Sequence, residues 1–190
     1  MRTRIIATIG QKSESMETAV FGGGCFWCTE AVFRSLKGVS GVMPGYAGGT
    51  AKNPTYERVS SGESDHAEAI RIEFDPAIIS YRDLLTVFFA THDPTTMNKQ
   101  GNDTGPQYRS LVLYRTDRER AEAEAMIADL NASSGAGGTI VTRVEPLGEF
   151  YEAEKYHQEY YERNKTAPYC EIVINPKLEK LKKRFAELLL

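Results

Sequence analysis

The sequence predicts an α+β fold, a two-layer sandwich in which helices pack on a mixed sheet. Three observations lead there. Apolar runs of strand length recur at residues 18–21, 39–46, 67–74, 110–115 and 140–144. Helical patterns stand between and after them, but strand and helix do not alternate steadily enough for a doubly wound parallel sheet. With 190 residues, 41% hydrophobic and 26% charged, the chain has material for one core and hardly for two. The reading is therefore a ferredoxin-like core with extensions, one domain over 17–190 preceded by a poorly ordered N-terminal extension over 1–16.

The first strand, 18–21, runs into Gly22, Gly23 and Gly24 and then changes to helical spacing through Phe26, Glu30, Phe33 and Leu36. That change of period puts Cys25 at a strand-to-helix turn. A strand over 39–46 follows, with turn residues Gly41, Pro44 and Gly45, then a loop of Gly, Thr, Asn and Pro up to Tyr56. Residues 67–74 read as a further strand. Ser80 with Asp83 forms an N-terminal cap for a helix whose buried stripe is Leu84, Leu85, Phe88 and Phe89.

Residues 91–109 are polar and rich in Asp, Asn, Gly and Pro, a connection longer than compact domains usually carry, so it is either functional or disordered. A strand over 110–115 leads to Thr116-x-x-Glu119, which opens a helix bearing Ala123, Met126, Ile127 and Leu130 on one side. The glycine-rich stretch 135–138 closes it. The rest reads as a strand over 140–144, a helix over 152–164 carrying Tyr156, Tyr160 and Tyr161, and a terminal helix over 178–189.

A formal charge of −3 supplies no field for phosphates, and the densest basic run, 180–184, reads as the solvated face of the terminal helix. No nucleic acid is expected. The one apolar stretch near the start, 5–9, is too short for a signal-peptide core or a membrane span, so the expected location is the cytoplasm, with no membrane contact. Three cysteines do not make a disulfide framework; in a reducing compartment they point to catalysis, metal binding or burial.

A thiol attacks as its thiolate, and a helix N-terminus lowers a thiol pKa through its dipole and free N–H groups. Cys25 is placed for that. The three glycines before it remove side chains from the approach to sulfur, and Phe26 and Trp27 after it offer an apolar wall suited to a methyl group. A small buried core residue is the bland alternative, and it gives no reason for the glycines. Cys25 and Cys28 with the histidines 66, 92 and 157 make only one Cys-x-x-Cys with no second paired motif, so neither a metal nor a cofactor is expected.

The run Gly22 to Trp27 followed by Glu30 resembles the signature of the methionine sulfoxide reductase A family. So do Gly45-Tyr46-Ala47-Gly48-Gly49, Asn53-Pro54-Thr55-Tyr56-Glu57, His66-Ala67-Glu68, the stretch from Gln100 to Gly105, Gln107-Tyr108-Arg109-Ser110, and His157-Gln158. Reducing a sulfoxide requires a nucleophile for sulfur and an acid to make oxygen a leaving group. The resemblance implies Cys25 as nucleophile, Glu68 as the acid, Tyr56 and Tyr108 as donors to the sulfoxide oxygen, and Asp103 as a residue holding substrate or water. It implies the S sulfoxide of methionine, free or in peptides, as substrate, and thioredoxin as reductant of the disulfide that follows a Cys25 sulfenic acid.

Two thiols could resolve that sulfenic acid. Cys170 stands in the C-terminal segment where many relatives keep a resolving cysteine, on what could be a mobile tail. Cys28 departs from the commoner pattern, in which Gly follows the Trp; it could resolve directly, relay to Cys170, or only pack. Asp65 before His66 is a second departure, bearing on a local turn alone. Other readings of the thiols are a general thiol-disulfide oxidoreductase using Cys25 and Cys28, or an oxidant sensor without turnover. A chain of this size could act as a monomer.

Overall fold

The computed structural model describes residues 16–133 and 137–190. The extension expected over 1–16 lies, apart from Met16, outside the described residues, as do 134–136 of the glycine-rich stretch. In chain order the first elements are β1 (Glu17–Gly23), α1 (Phe26–Arg34), β2 (Val39–Ala47), α2 (Tyr56–Ser60), β3 (Ala67–Phe74) and α3 (Tyr81–Thr91). A short pair, β4 (Lys99–Gln100) and β5 (Asp103–Thr104), precedes β6 (Ser110–Tyr114), α4 (Asp117–Ala132), β7 (Arg143–Pro146) and β8 (Tyr151–Glu152). The chain ends with α5 (Tyr160–Arg163) and α6 (Asn175–Arg184).

The main sheet has six strands in the order β7-β6-β1-β3-β2-β8. All pairings are antiparallel except β6 with β7, which makes the sheet mixed. Its four central strands, β6-β1-β3-β2, joined through α1 and α3, are the ferredoxin-like core; β7 and β8 extend its two edges. β1 is the centre because its side chains are apolar or absent on both faces. On the helix side Phe21 meets the rings of Phe33 and Tyr81 at 5.9 Å and Phe88 at 4.9 Å. On the other side Val20, Ala69, Leu111 and Leu113 pack under Leu147 and Phe150. Truncating Phe21 to Ala would cost about 3–5 kcal/mol, since nothing nearby can refill the space.

The expected strands at 18–21, 39–46, 67–74 and 110–115 and the helix capped by Ser80 and Asp83 are present, the cap as a reciprocal box. Four expectations are corrected. The helix over 152–164 shrinks to α5. Tertiary hydrogen bonds claim its backbone: Ala153 N–H donates to Pro44 O at 2.9 Å and Glu159 N–H to Glu30 Oε1 at 2.8 Å. Glu159 itself has φ +53°, which no α-helix continues. The strand over 140–144 starts only at Arg143, because Ile140 and Val141 N–H groups are held by Asn131 Oδ1 and Pro94 O, both at distances under 3 Å.

The terminal helix begins earlier than expected, at Asn175, where Pro176 suits its first turn, and it ends at Arg184. Beyond it a 3₁₀ turn, Ala186–Leu188, brings Leu189 to bridge Leu36, so Leu36 leaves the first helix at Arg34 and closes the chain end instead. The long 91–109 segment, expected to be functional or disordered, carries β4, β5 and the 3₁₀ turn Pro106–Tyr108. α2, capped by Thr55, gave no periodic signal because five residues are too few to show one. Among the described residues no helix is long and apolar enough to cross a membrane.

Candidate active site

Gly24 is the joint between β1 and α1. Its φ is +87°, and a Cβ there would lie 2.6 Å from the Gln100 side chain, so both backbone and space require glycine. Gly22 and Gly23 serve close packing, not an open approach to sulfur as expected: a Cβ on either would sit 3.1 Å from the Glu68 carbonyl oxygen or 2.9 Å from Phe88. Cys25 is thereby fixed as the residue before α1, its carbonyl accepting from the Cys28 N–H at 3.1 Å. Its side chain is half-buried.

The first free N–H of α1 is spent on a carboxyl group. Glu68 sits on β3 opposite Tyr46 of β2, and its Oε2 accepts the Phe26 N–H at 2.9 Å. Only 3% of Glu68 is exposed. That burial, against the opposing pull of the Phe26 N–H, drives its carboxyl up to about 8, so at neutral pH it holds a proton.

Glu68 and Cys25 face one small cavity of about 170 Å³, walled by Phe26 and Trp27 and reached by Tyr56, Tyr108 and Asp103. Every residue predicted for nucleophile, acid, donor and apolar wall is therefore in one place. The Tyr56 and Tyr108 phenols are pushed above their ordinary range by burial first and by Glu68 next, which keeps them proton donors. Among the described residues neither phenol oxygen has a protein hydrogen-bond partner. Tyr56 is placed by its backbone: its N–H donates to Glu154 Oε1 at 3.0 Å, while the Tyr46 hydroxyl donates to Glu154 Oε2 at 2.7 Å.

The apolar wall is held from behind. Trp27 donates its indole N–H to His157 Nδ1 at 3.1 Å and stacks on Tyr160, ring centroids 3.6 Å apart and planes 4° from parallel. Phe26 is buried against Tyr46 and His157. Asp103 accepts the Tyr169 hydroxyl at 3.4 Å, and the same hydroxyl lies 3.6 Å from Cys28 Sγ.

The thiols are closer together than the sequence implied. Cys28 and Cys170 are both buried and share a small apolar cluster with Ala31 and Ile174, against which Cys25 packs. Cys170 is thus seated in a π-helical turn, Cys170–Ile174, not on a free tail. Cys25 and Cys28 titrate as a pair: the Cys28 thiol is lowered to about 7, and Cys25 is held well above the ordinary range, by Cys28 first and by burial next.

Tyr169, Glu154 and Tyr160 support this site and were missed in the sequence, while His157, read there only within a motif, is found to hold Trp27. Tyr169 was one of ten tyrosines; its place beside Cys170 was the available signal. Glu154 and Tyr160 fall in 152–164, where a helical reading hid a folded strap.

A buried carboxyl group facing a cysteine at a helix start, with a second thiol three residues on, is the arrangement of a thiol-based oxidoreductase. The comparisons specify it. Residues 17–189 match the family model for peptide methionine sulfoxide reductase, and the chain belongs to that family. It is 52% identical over 172 residues to peptide methionine sulfoxide reductase MsrA of Sulfolobus acidocaldarius, covering 90% of this chain and 97% of the relative. Among solved structures, that of Mxr1 from Saccharomyces cerevisiae in reduced form superposes with a TM-score of 0.77 at 34% identity, over 86% of this chain and 94% of the other. Mxr1 in complex with Trx2 gives a TM-score of 0.55 at 25% identity, over 81% and 91% of the two chains.

Proposed function

We propose that the chain reduces the S sulfoxide of methionine, free or in peptides and proteins, with Cys25 as nucleophile and Glu68 as acid. The neutral, buried Glu68, anchored on the helix that begins at Cys25, is the observation that carries this reading. Cys25 sulfur attacks the sulfoxide sulfur, passing its proton toward Cys28, while Glu68 protonates the oxygen and Tyr56 and Tyr108 donate hydrogen bonds to it. The methyl group rests between Phe26 and Trp27, and Asp103 with Tyr169 steadies the water or polar end of the substrate. The protonated oxygen then passes from methionine sulfur to Cys25 sulfur while the new sulfur–sulfur bond breaks with its electron pair returning to methionine, so methionine leaves and a Cys25 sulfenic acid remains.

Cys28 resolves it: its sulfur bonds to Cys25 sulfur and the oxygen departs as water. Cys28 stands three residues on from Cys25 in the first turn of α1, the Cys-x-x-Cys spacing of a helix-start redox pair, which favours it over Cys170. A thioredoxin then reduces the disulfide, in keeping with the Mxr1 and Trx2 complex. We place the activity in the cytoplasm, in a monomer whose catalytic domain spans 17–190, using no metal or cofactor. The test is turnover with dithiothreitol on a peptide of defined sulfoxide configuration. The S form should be reduced, the R form should not, and Cys25→Ser should be inactive; full activity of Cys25→Ser ends the proposal.

A further inference from the structure

The basic run 180–184 was read as a solvated helix face, yet in the fold part of it walls a groove. This groove, about 1000 Å³, adjoins the reaction cavity and shares Cys25, Asp103 and Tyr169 with it. Cys28 lines the groove and does not line the smaller cavity. Lys177, Lys180, Lys183 and Arg184 of α6 border it, the first, second and fourth at helical spacing of one stripe. Lys182 is turned to Glu179 at 3.2 Å, but among the described residues none of the four groove cations is paired with a carboxylate. Ile172, two residues from Cys170, stands on the same groove with 74% of its surface exposed. Asp93 and Asp103 line the groove as well, so its four cations outnumber its two carboxylates, a local exception in a chain of net charge −3.

We propose that this groove is the docking surface for the reductant, and that it selects a thioredoxin carrying carboxylates beside its redox cysteines. The inference rests on the thioredoxin reading above and adds where and by what chemistry the partner binds. Access decides the occupant. The sulfoxide goes to the cavity that holds Glu68, whereas the partner's thiolate must reach a disulfide sulfur, and both Cys25 and Cys28 line the groove while Glu68 does not. An incoming thiolate bonds to one sulfur of the Cys25–Cys28 disulfide and displaces the other as thiolate; the partner's second thiol then breaks the mixed disulfide, leaving the partner oxidised to its disulfide and both cysteines here reduced. Cations at the rim draw an acidic partner in, and Ile172 supplies the apolar contact at the centre.

The test compares wild type with Lys180→Glu/Lys183→Glu, two exposed positions, under two reductants. With thioredoxin, thioredoxin reductase and NADPH, the variant should show a KM for thioredoxin about tenfold higher and little dependence on salt, where wild type shows a KM rising with salt. With dithiothreitol, which needs no docking surface, its turnover should match wild type and so report an intact fold. Ile172→Ser should raise the same KM in the same selective way. An unchanged KM for thioredoxin overturns the proposal. So does a shift confined to the KM of the sulfoxide peptide under dithiothreitol, which would assign the groove to the substrate chain. If wild type turns over with dithiothreitol but not with thioredoxin, the thioredoxin reading itself has failed and the docking surface falls with it.

Discussion

Glu68 Oε2 accepts the Phe26 backbone N–H at 2.9 Å, one residue beyond Cys25, so the acid is tied to the helix that presents the nucleophile. β3 supplies the carboxyl group and α1 supplies the sulfur, and one hydrogen bond fixes their separation. Because that bond favours the ionised form, the proton on Glu68 is due to burial overcoming it.

Glu68→Gln keeps an acceptor for the Phe26 N–H and removes the proton. Single-turnover methionine release should fall about 100- to 1000-fold. Stability should move the other way. A carboxyl raised from 4.5 to about 8 binds more protons folded than unfolded, so it lowers stability progressively as pH rises through that window. The Gln variant should therefore unfold at higher urea than wild type at pH 7, by up to about 3 kcal/mol, and the difference should vanish near pH 4.

The burst rate of wild type should be bell-shaped in pH. The Cys25 and Cys28 pair releases its first proton near about 7, and Glu68 loses its own near about 8. Rate should climb through the first and fall through the second. Stopped-flow single turnovers on Glu68→Gln should lack the alkaline limb; a limb that survives there belongs to another group.

Tyr56→Phe and Tyr108→Phe each remove one donor facing the sulfoxide oxygen. Each should lower kcat about 10- to 100-fold with a small change in KM, since the oxygen gains charge only as its bond to sulfur breaks. Loss confined to KM would make these tyrosines packing residues.

Glu154 acts through Tyr56, whose N–H it accepts at 3.0 Å. Glu154→Ala should lower kcat about tenfold, and the double variant with Tyr56→Phe should be no slower than Tyr56→Phe alone. Independent, additive losses in that double-mutant cycle would show that Glu154 does not work through the phenol.

The central strands, the capped α3 and the Cys25 turn were legible because each rests on local signals: short apolar runs, Ser80 with Asp83, and glycine at a change of period. Glu68, Tyr56, Tyr108 and Asp103 were legible through their motifs, although their convergence on one cavity is a matter of strand register, Tyr46 opposite Glu68, which no single segment records. The strap from Ala153 to Glu159 was illegible for a physical reason. Tyr156 with Tyr160 and Tyr161 of α5 imitates helical spacing, while Glu30 Oε1, more than a hundred residues away, takes the Glu159 N–H that a helix would need. Cys170 was misplaced on a tail for a similar reason, its burial being made by Cys28, Ala31 and Ile174 together.

The most direct test of the account is a single turnover on an S sulfoxide peptide with fully reduced enzyme and no reductant, followed by alkylation and mapping of the thiols. One methionine per enzyme should form, with Cys25 joined to Cys28 and Cys170 recovered alkylated. A Cys25 recovered as a free thiol after methionine has formed would contradict the account at its nucleophile, and a disulfide from Cys25 to Cys170 would contradict it at the step that follows.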